Sequence, residues 1–207
     1  MQSTRNQIRI VPQLLLILIG LLLGIAIGAA TNFVNGTVSE DYFRVVLFGP
    51  YAPNVRMLAV GQGMLEGGAL GLFFGFVFAL SSAASTGLRA RLRFSSAILF
   101  TAVGIVLACW VIGGILGMSL AAAATDFFVR IFYRQTPSSF ATLLRFAWVG
   151  GTIWGAYAGT ALATVFGCVL MHLRWKKHIA EDGDGVRAFE PLVQELESPR
   201  QNFSAPS

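Results

Sequence analysis

The chain has 207 residues, of which 55% are hydrophobic and only 12% charged, with a mean hydropathy of +0.68 and a formal charge of +5. Soluble domains carry roughly 25% charged residues, and here the apolar residues also fall in long blocks, so a soluble core is excluded in favour of membrane spans. The basic residues cluster at the block ends, where membrane topology accounts for them, and no nucleic-acid partner is expected.

The first apolar block covers about 10–31 and follows Arg5 and Arg9. Basic residues ahead of an apolar run, with small residues at Gly28-Ala29-Ala30, also fit a secretory leader. The internal repeat described below favours a retained first span. Gly20, Gly24 and Gly28 stand at four-residue spacing within it. Beyond it, Asn35-Gly36-Thr37 reads as an N-glycosylation sequon on the expected outer side.

The second block, about 57–84, carries Gly63, Gly67, Gly71 and Gly75, and with them Glu66, the one acidic residue in a span interior. Glu66 falls ~14 Å along the helix from the start of the block at 1.5 Å per residue. An ionised carboxylate at such depth costs at least ~2.5 kcal/mol, so it needs a partner or a proton. Gln62 precedes it by one turn on the same stripe and is the expected hydrogen-bonding neighbour. Glu66 and Gln62 are therefore the candidate intramembrane polar site. The plainer alternative is a hydrogen-bonded group that fixes helix register.

The linker "GLRARLR" precedes the third block, about 96–123, which carries Gly113 and Gly117. After it comes "DFFVRIFYR", where Asp126, Arg130 and Arg134 fall on one helical stripe with aromatic residues around them. This pattern suits a short amphipathic helix in the interface, with Asp126 paired to Arg130, or else a continuation of the third span. Arg130 and Arg134 are the expected interfacial residues.

The fourth block, about 147–173, carries Gly151, Gly155, Gly159 and Gly167 and ends at "RWKKH", where Trp175 is a further interfacial anchor. Residues 179–207 hold six acidic residues with interspersed Gly, Pro and Ser, and read as a disordered cytoplasmic tail after a membrane domain of residues 1–178.

The two halves of the chain resemble each other. Gly63, Gly67 and Gly71 match Gly151, Gly155 and Gly159 at an offset of 88 residues, with Trp154 opposite Glu66. "YFRVVLF" (42–48) parallels "FFVRIFY" (127–133), and "TNF" (31–33) parallels "TDF" (125–127). The expected architecture is all-α: a polytopic membrane protein of four transmembrane helices arranged as two glycine-zippered hairpins. Glycine rows let backbones approach, so dispersion and weak Cα–H···O contacts replace the hydrophobic drive that lipid does not supply.

Eight Lys and Arg residues flank one side of the spans and five the other, which places both termini in the cytoplasm, in a plasma or inner membrane. Cys109 and Cys168 lie in apolar runs, and Cys168 with His172 gives too few ligands for a metal. There is no nucleophile elbow, phosphate loop, zinc motif or carboxylate pair, so no catalytic, cofactor or metal residues are assigned and no enzyme is expected. The leading expectation is a structural or interaction subunit, or assembly factor, of a membrane complex. Its partners are the bilayer and a membrane protein or second copy meeting the glycine faces. The alternative is a small transporter or channel with Glu66 as a proton- or cation-responsive site.

Overall fold

A computed structural model describes residues 10–86, 92–133 and 139–197, with side chains described through Lys177 except at 92–94. The described residues are helical, and four of the helices are long and apolar enough to cross a membrane: Val11–Val38, Val55–Thr86, Ser95–Ala123 and Phe140–Lys177. Each is longer than the block read from hydropathy or matches it closely.

Helix α1 (Val11–Val38) opens with Pro12 in its first turn, where a missing N–H costs nothing. It stops at Ser39, whose backbone is extended (φ −149°, ψ 100°). The Ser39 hydroxyl then accepts a bond from the Tyr42 N–H at 3.3 Å, capping the short helix α2 (Glu40–Phe43). A π-helical turn, Arg44–Phe48, follows and ends at Gly49 with φ +83°, a conformation glycine adopts without strain. Arg44 ties this connection down. Its guanidinium donates to the carbonyls of Pro50 and Ala52, both at 3.0 Å, and pairs with Glu40 at 3.6 Å. Glu40 also accepts from Arg56 at 2.8 Å, at the start of α3 (Val55–Thr86).

The second half repeats this order of elements. Helix α4 (Leu92–Ala123) breaks at Ala124 (φ −135°, ψ 56°) and is followed by the short helix α5 (Thr125–Phe128) and a π-helical turn, Val129–Tyr133. The "DFFVRIFY" stretch is therefore a separate element and not a continuation of the third span. Among the described residues the ion pairs are those of Glu40, and Asp126 makes none with Arg130. Asp126 lies in the short helix α5 and Arg130 in the π-helical turn that follows, and both side chains are exposed. The pairing of "TNF" with "TDF" also fails, since 31–33 lie inside α1 while 125–127 open α5.

Helix α6 (Phe140–Glu197) begins with Ser139 accepting from the Thr142 N–H at 3.1 Å. It starts seven residues before the expected span at 147 and continues helical past 178, into the segment read as a tail. Residues 198–207 lie outside the described residues, as does Arg134.

Contacts run chiefly between α1 and α3 and between α4 and α6. Two buried clusters hold the bundle. At the connection end, Phe146 of α6 is the hub: its ring meets Tyr133 at 4.6 Å, Tyr42 at 5.0 Å and Phe128 at 6.5 Å. It thus joins both connections to one helix, with Phe43, Leu143 and Val149 filled in around it. At the other end Leu16, Phe74, Phe78, Ile98, Leu99 and Met171 bring all four long helices together.

Candidate functional site

Between the two clusters the helices are lined by glycine and border an open cavity of about 110 Å³. The seam between α1 and α3 comes first. A methyl group added at Gly24 would fall on the carbonyl oxygen of Gly67 and lie 2.9 Å from the Cα of Gly71. Gly20 meets Gly71 and Gly75 in the same way, and Gly28 meets Gly63 and Gly67. In the other half, Gly113 faces Gly151 and Gly155, Gly117 faces Ala147 and Gly151, and Cys109 faces Gly155 and Gly159. A methyl group at Gly20, Gly24, Gly28, Gly113 or Gly117 would overlap backbone atoms of the facing helix, which cannot rotate away. Gly167 differs: a methyl group added there would lie in ordinary contact, 3.6 Å, with the ring of Phe78.

Glu66 stands beside this seam, half-buried, on the cavity wall. Gln62 donates its Nε2–H to Glu66 Oε1 at 2.6 Å, as the one-turn spacing predicts. Tyr157 of α6 lines the same cavity. Tyr42 of α2 is close enough to feel the Glu66 charge: its phenol is held above the ordinary value of 10.0, first by burial and second by that carboxylate. Trp110 of α4 completes the wall, and its indole Nε1–H is buried with no partner among the described residues.

A second polar layer lies one turn away toward the connections. Asn32 donates from Nδ2 to the Ala59 carbonyl at 3.1 Å, and its Oδ1 accepts from Asn35 Nδ2 at 3.4 Å. Asn35 Oδ1 in turn accepts from the Thr152 hydroxyl at 3.1 Å. Asn32, Asn35 and Thr152 are all buried, at 5%, 1% and 0% exposure. The chain Thr152–Asn35–Asn32–Ala59 therefore links α6, α1 and α3 through fully desolvated polar groups, where each bond is costly to lose. This placement also removes the sequon: Asn35 is an interior residue of α1 and its amide is already engaged.

The structure thus brings Glu66 and Gln62 together, and adds Tyr157, Trp110 and Asn32, which the sequence reading did not single out, and Asn35, which it read as a sequon. A signal for the pair was present. Two asparagines three residues apart at the end of an apolar block share one face and require partners. Tyr157 had no local signal, being 91 residues from Glu66 in the chain. The expected interfacial residues lie away from the cavity. Arg130 is exposed in its π-turn, and Trp175 is half-buried near the end of the described side chains of α6. No protein family, curated protein or solved structure matches the chain.

Proposed function

We propose that this is a non-enzymatic integral membrane protein of two glycine-zippered hairpins, α1–α3 and α4–α6, whose working element is the Glu66 cavity. Its function on this reading is to bind and move a small solute or ion in a proton-responsive way. The observation that carries the proposal is the company Glu66 keeps: a carboxyl on a cavity wall, held by Gln62 at 2.6 Å, with Tyr157 of another long helix on the same wall. A group that served only to fix helix register would need no open space beside it. The glycine rows also bear on the choice. An interaction subunit using those rows would present them outward, whereas Gly20, Gly24, Gly28, Gly113 and Gly117 all meet backbone of the same chain.

On this reading the two hairpins run in the same orientation with both termini on one side of the membrane, and the excess of Lys and Arg at the linker and ends supports the cytoplasm as that side. The test is flux. The purified chain in liposomes, with a pH step imposed across the bilayer, is expected to support a proton-linked flux that Glu66→Gln abolishes. If the variant folds and flux is unchanged, the carboxyl is structural. Stable co-purification with one membrane partner in mild detergent, together with no flux, would return the subunit reading to first place.

A further inference from the structure

We infer that a groove on the second helix pair is a phospholipid site, taking one fatty chain along α6 and the lipid's phosphate on Arg130. The inference goes beyond the proposed function, and the groove shares no lining residue with the Glu66 cavity.

The seams lead to the groove. A methyl group at Gly28 would meet the Gly63 carbonyl oxygen and the Gly67 Cα, and one at Gly113 would meet the same atoms of Gly151 and Gly155. The two helix pairs therefore correspond at an offset of 85 residues in the first helix of each and 88 in the second. At these offsets the polar residues Asn32, Asn35, Gln62 and Glu66 have Gly117, Leu120, Gly150 and Trp154 as counterparts. All four counterparts line one groove of about 490 Å³, whose other walls come from both connections. One helix pair thus carries a polar site, and the other an apolar site in the equivalent place.

The lining selects the occupant. No charged side chain lines the groove, and apart from the Tyr42 hydroxyl and the Trp154 indole its side chains offer only carbon. An ion or a water-soluble solute finds no partner there. Val46, Leu120, Ile131, Phe132 and Trp154 are exposed, so on the four-span reading the groove opens to bilayer hydrocarbon. At ~30 Å³ per non-hydrogen atom, the share one water molecule takes in the liquid, it holds on the order of sixteen atoms. That is the room of one fatty chain, whereas a helix with its side chains is ~10–12 Å across.

Arg130 supplies the head-group contact. It stands in the π-helical turn, flanked in sequence by the lining residues Phe128 and Ile131. Its side chain is exposed and makes no ion pair among the described residues. Arg44 and Arg56 of the first connection are by contrast committed to Glu40, and Arg44 also to two loop carbonyls. The counterpart of Arg130 in that connection is Val45, so the unpaired guanidinium and the apolar groove belong to the same half of the chain. A guanidinium at the head-group level matches phosphate oxygens with paired N–H donors. A phospholipid satisfies both parts of the site. An uncharged lipid leaves Arg130 without a counter-ion, and a free phosphate leaves the groove unfilled.

The test is native mass spectrometry of the full chain in detergent, titrated with dioleoylphosphatidylglycerol. The expected result is saturable binding of a first lipid, weakened about fivefold or more by Arg130→Gln. Val46→Trp, which fills the groove from an exposed position and leaves Arg130 intact, should weaken it as much. Arg145→Gln is the control: Arg145 is also exposed and without an ion pair among the described residues. It lies nine residues before Trp154, about two and a half turns, and so on the opposite side of α6. Its loss should change the affinity by less than about twofold. Dioleoylglycerol, which has the chains without the phosphate, should bind about fivefold more weakly or worse. Glycerol phosphate, the head without the chains, should not compete in millimolar excess. Equal losses from Arg130→Gln and Arg145→Gln overturn the inference, as a general charge effect. So do binding indifferent to Val46→Trp, dioleoylglycerol binding as tightly as the phospholipid, or displacement by glycerol phosphate. A dimer that Val46→Trp dissociates with lipid affinity unchanged gives the groove to a second copy and overturns it too. If a variant does not fold, the dioleoylglycerol and glycerol phosphate comparisons on the native chain decide the matter. None of these outcomes depends on Glu66, so the inference and the proposed function stand or fall separately.

Discussion

Replacing Gly24 by alanine puts one methyl group into the seam between α1 and α3, and its cost can be worked from the geometry. The added carbon would fall on the Gly67 carbonyl oxygen and lie 2.9 Å from Gly71 Cα and 3.0 Å from Gly67 C. Carbon atoms sit best about 3.5–4.0 Å apart. All of these atoms are backbone, so no rotamer change relieves the overlap, and the two helices must separate by roughly 1 Å, forfeiting a quarter to a half of the dispersion attraction along the seam. Overpacking of this kind costs about 1–3 kcal/mol. Alanine also improves helix propensity by about 0.8–1 kcal/mol over glycine, which partly masks the loss. Gly61→Ala is the matched control, because a methyl there meets nothing within 4 Å and receives the same propensity gain. The propensity term cancels between the two variants, and the difference in stability should be about 1–3 kcal/mol, on the order of tenfold or more in the folded-to-unfolded ratio. The assay is reversible unfolding in mixed micelles followed by tryptophan fluorescence. Gly113→Ala, 2.7 Å from Gly155 Cα, should behave like Gly24→Ala. Should Gly24→Ala match Gly61→Ala within about 0.5 kcal/mol, the close backbone seam is not what holds these helices together.

Asn35→Ala should cost about 1–3 kcal/mol in the same micelle assay, since it removes the link between Thr152 and Asn32 in a dry site. Expression in a glycosylating host should leave Asn35 unmodified, seen as no mobility change on treatment with a glycosidase; a fully glycosylated product would contradict its burial. At the first connection, Arg44→Ala should destabilise more than Glu40→Gln, because the arginine satisfies two loop carbonyls while the Glu40 pairs are exposed and worth at most about 1 kcal/mol. Tyr42 should ionise later than an unfolded tyrosine. Its raised value stabilises the fold below pH 10.0, and that contribution is lost as pH climbs through the raised value. Absorbance titration near 295 nm, compared with Tyr42→Phe, should show a late component disappear.

The long helices were legible because lipid exposure and spacing leave direct marks: apolar runs of about 20 residues and glycines every fourth position. Gln62 and Glu66 were legible for the same reason, since a one-turn spacing fixes their contact whatever the rest of the fold does. The ends were harder. Helix α1 runs to Val38, beyond the apolar block, because Asn32 and Asn35 find partners across the bundle and polar residues can continue the helix there. The opposite error arose at 129–133, where an α-helical stripe was read into a π-turn, and hydropathy cannot distinguish the two. The remaining cavity residues depend on how the halves come together. Thr152 meets Asn35 across 117 residues, and no local pattern encodes such a pairing.

The glycine seams have a mechanical consequence. Where backbone lies on backbone there are no side chains to re-pack, so α1 with α3, and α4 with α6, each form a leaf with no rotamer freedom at its seam. Between the leaves the contacts are side-chain ones, such as the rings of Phe74 and Phe78 lying near Gly167. On the proposed function, an opening that admits a molecule to Glu66 would be a shear of one leaf across the other, past Phe146, whose ring touches both connections.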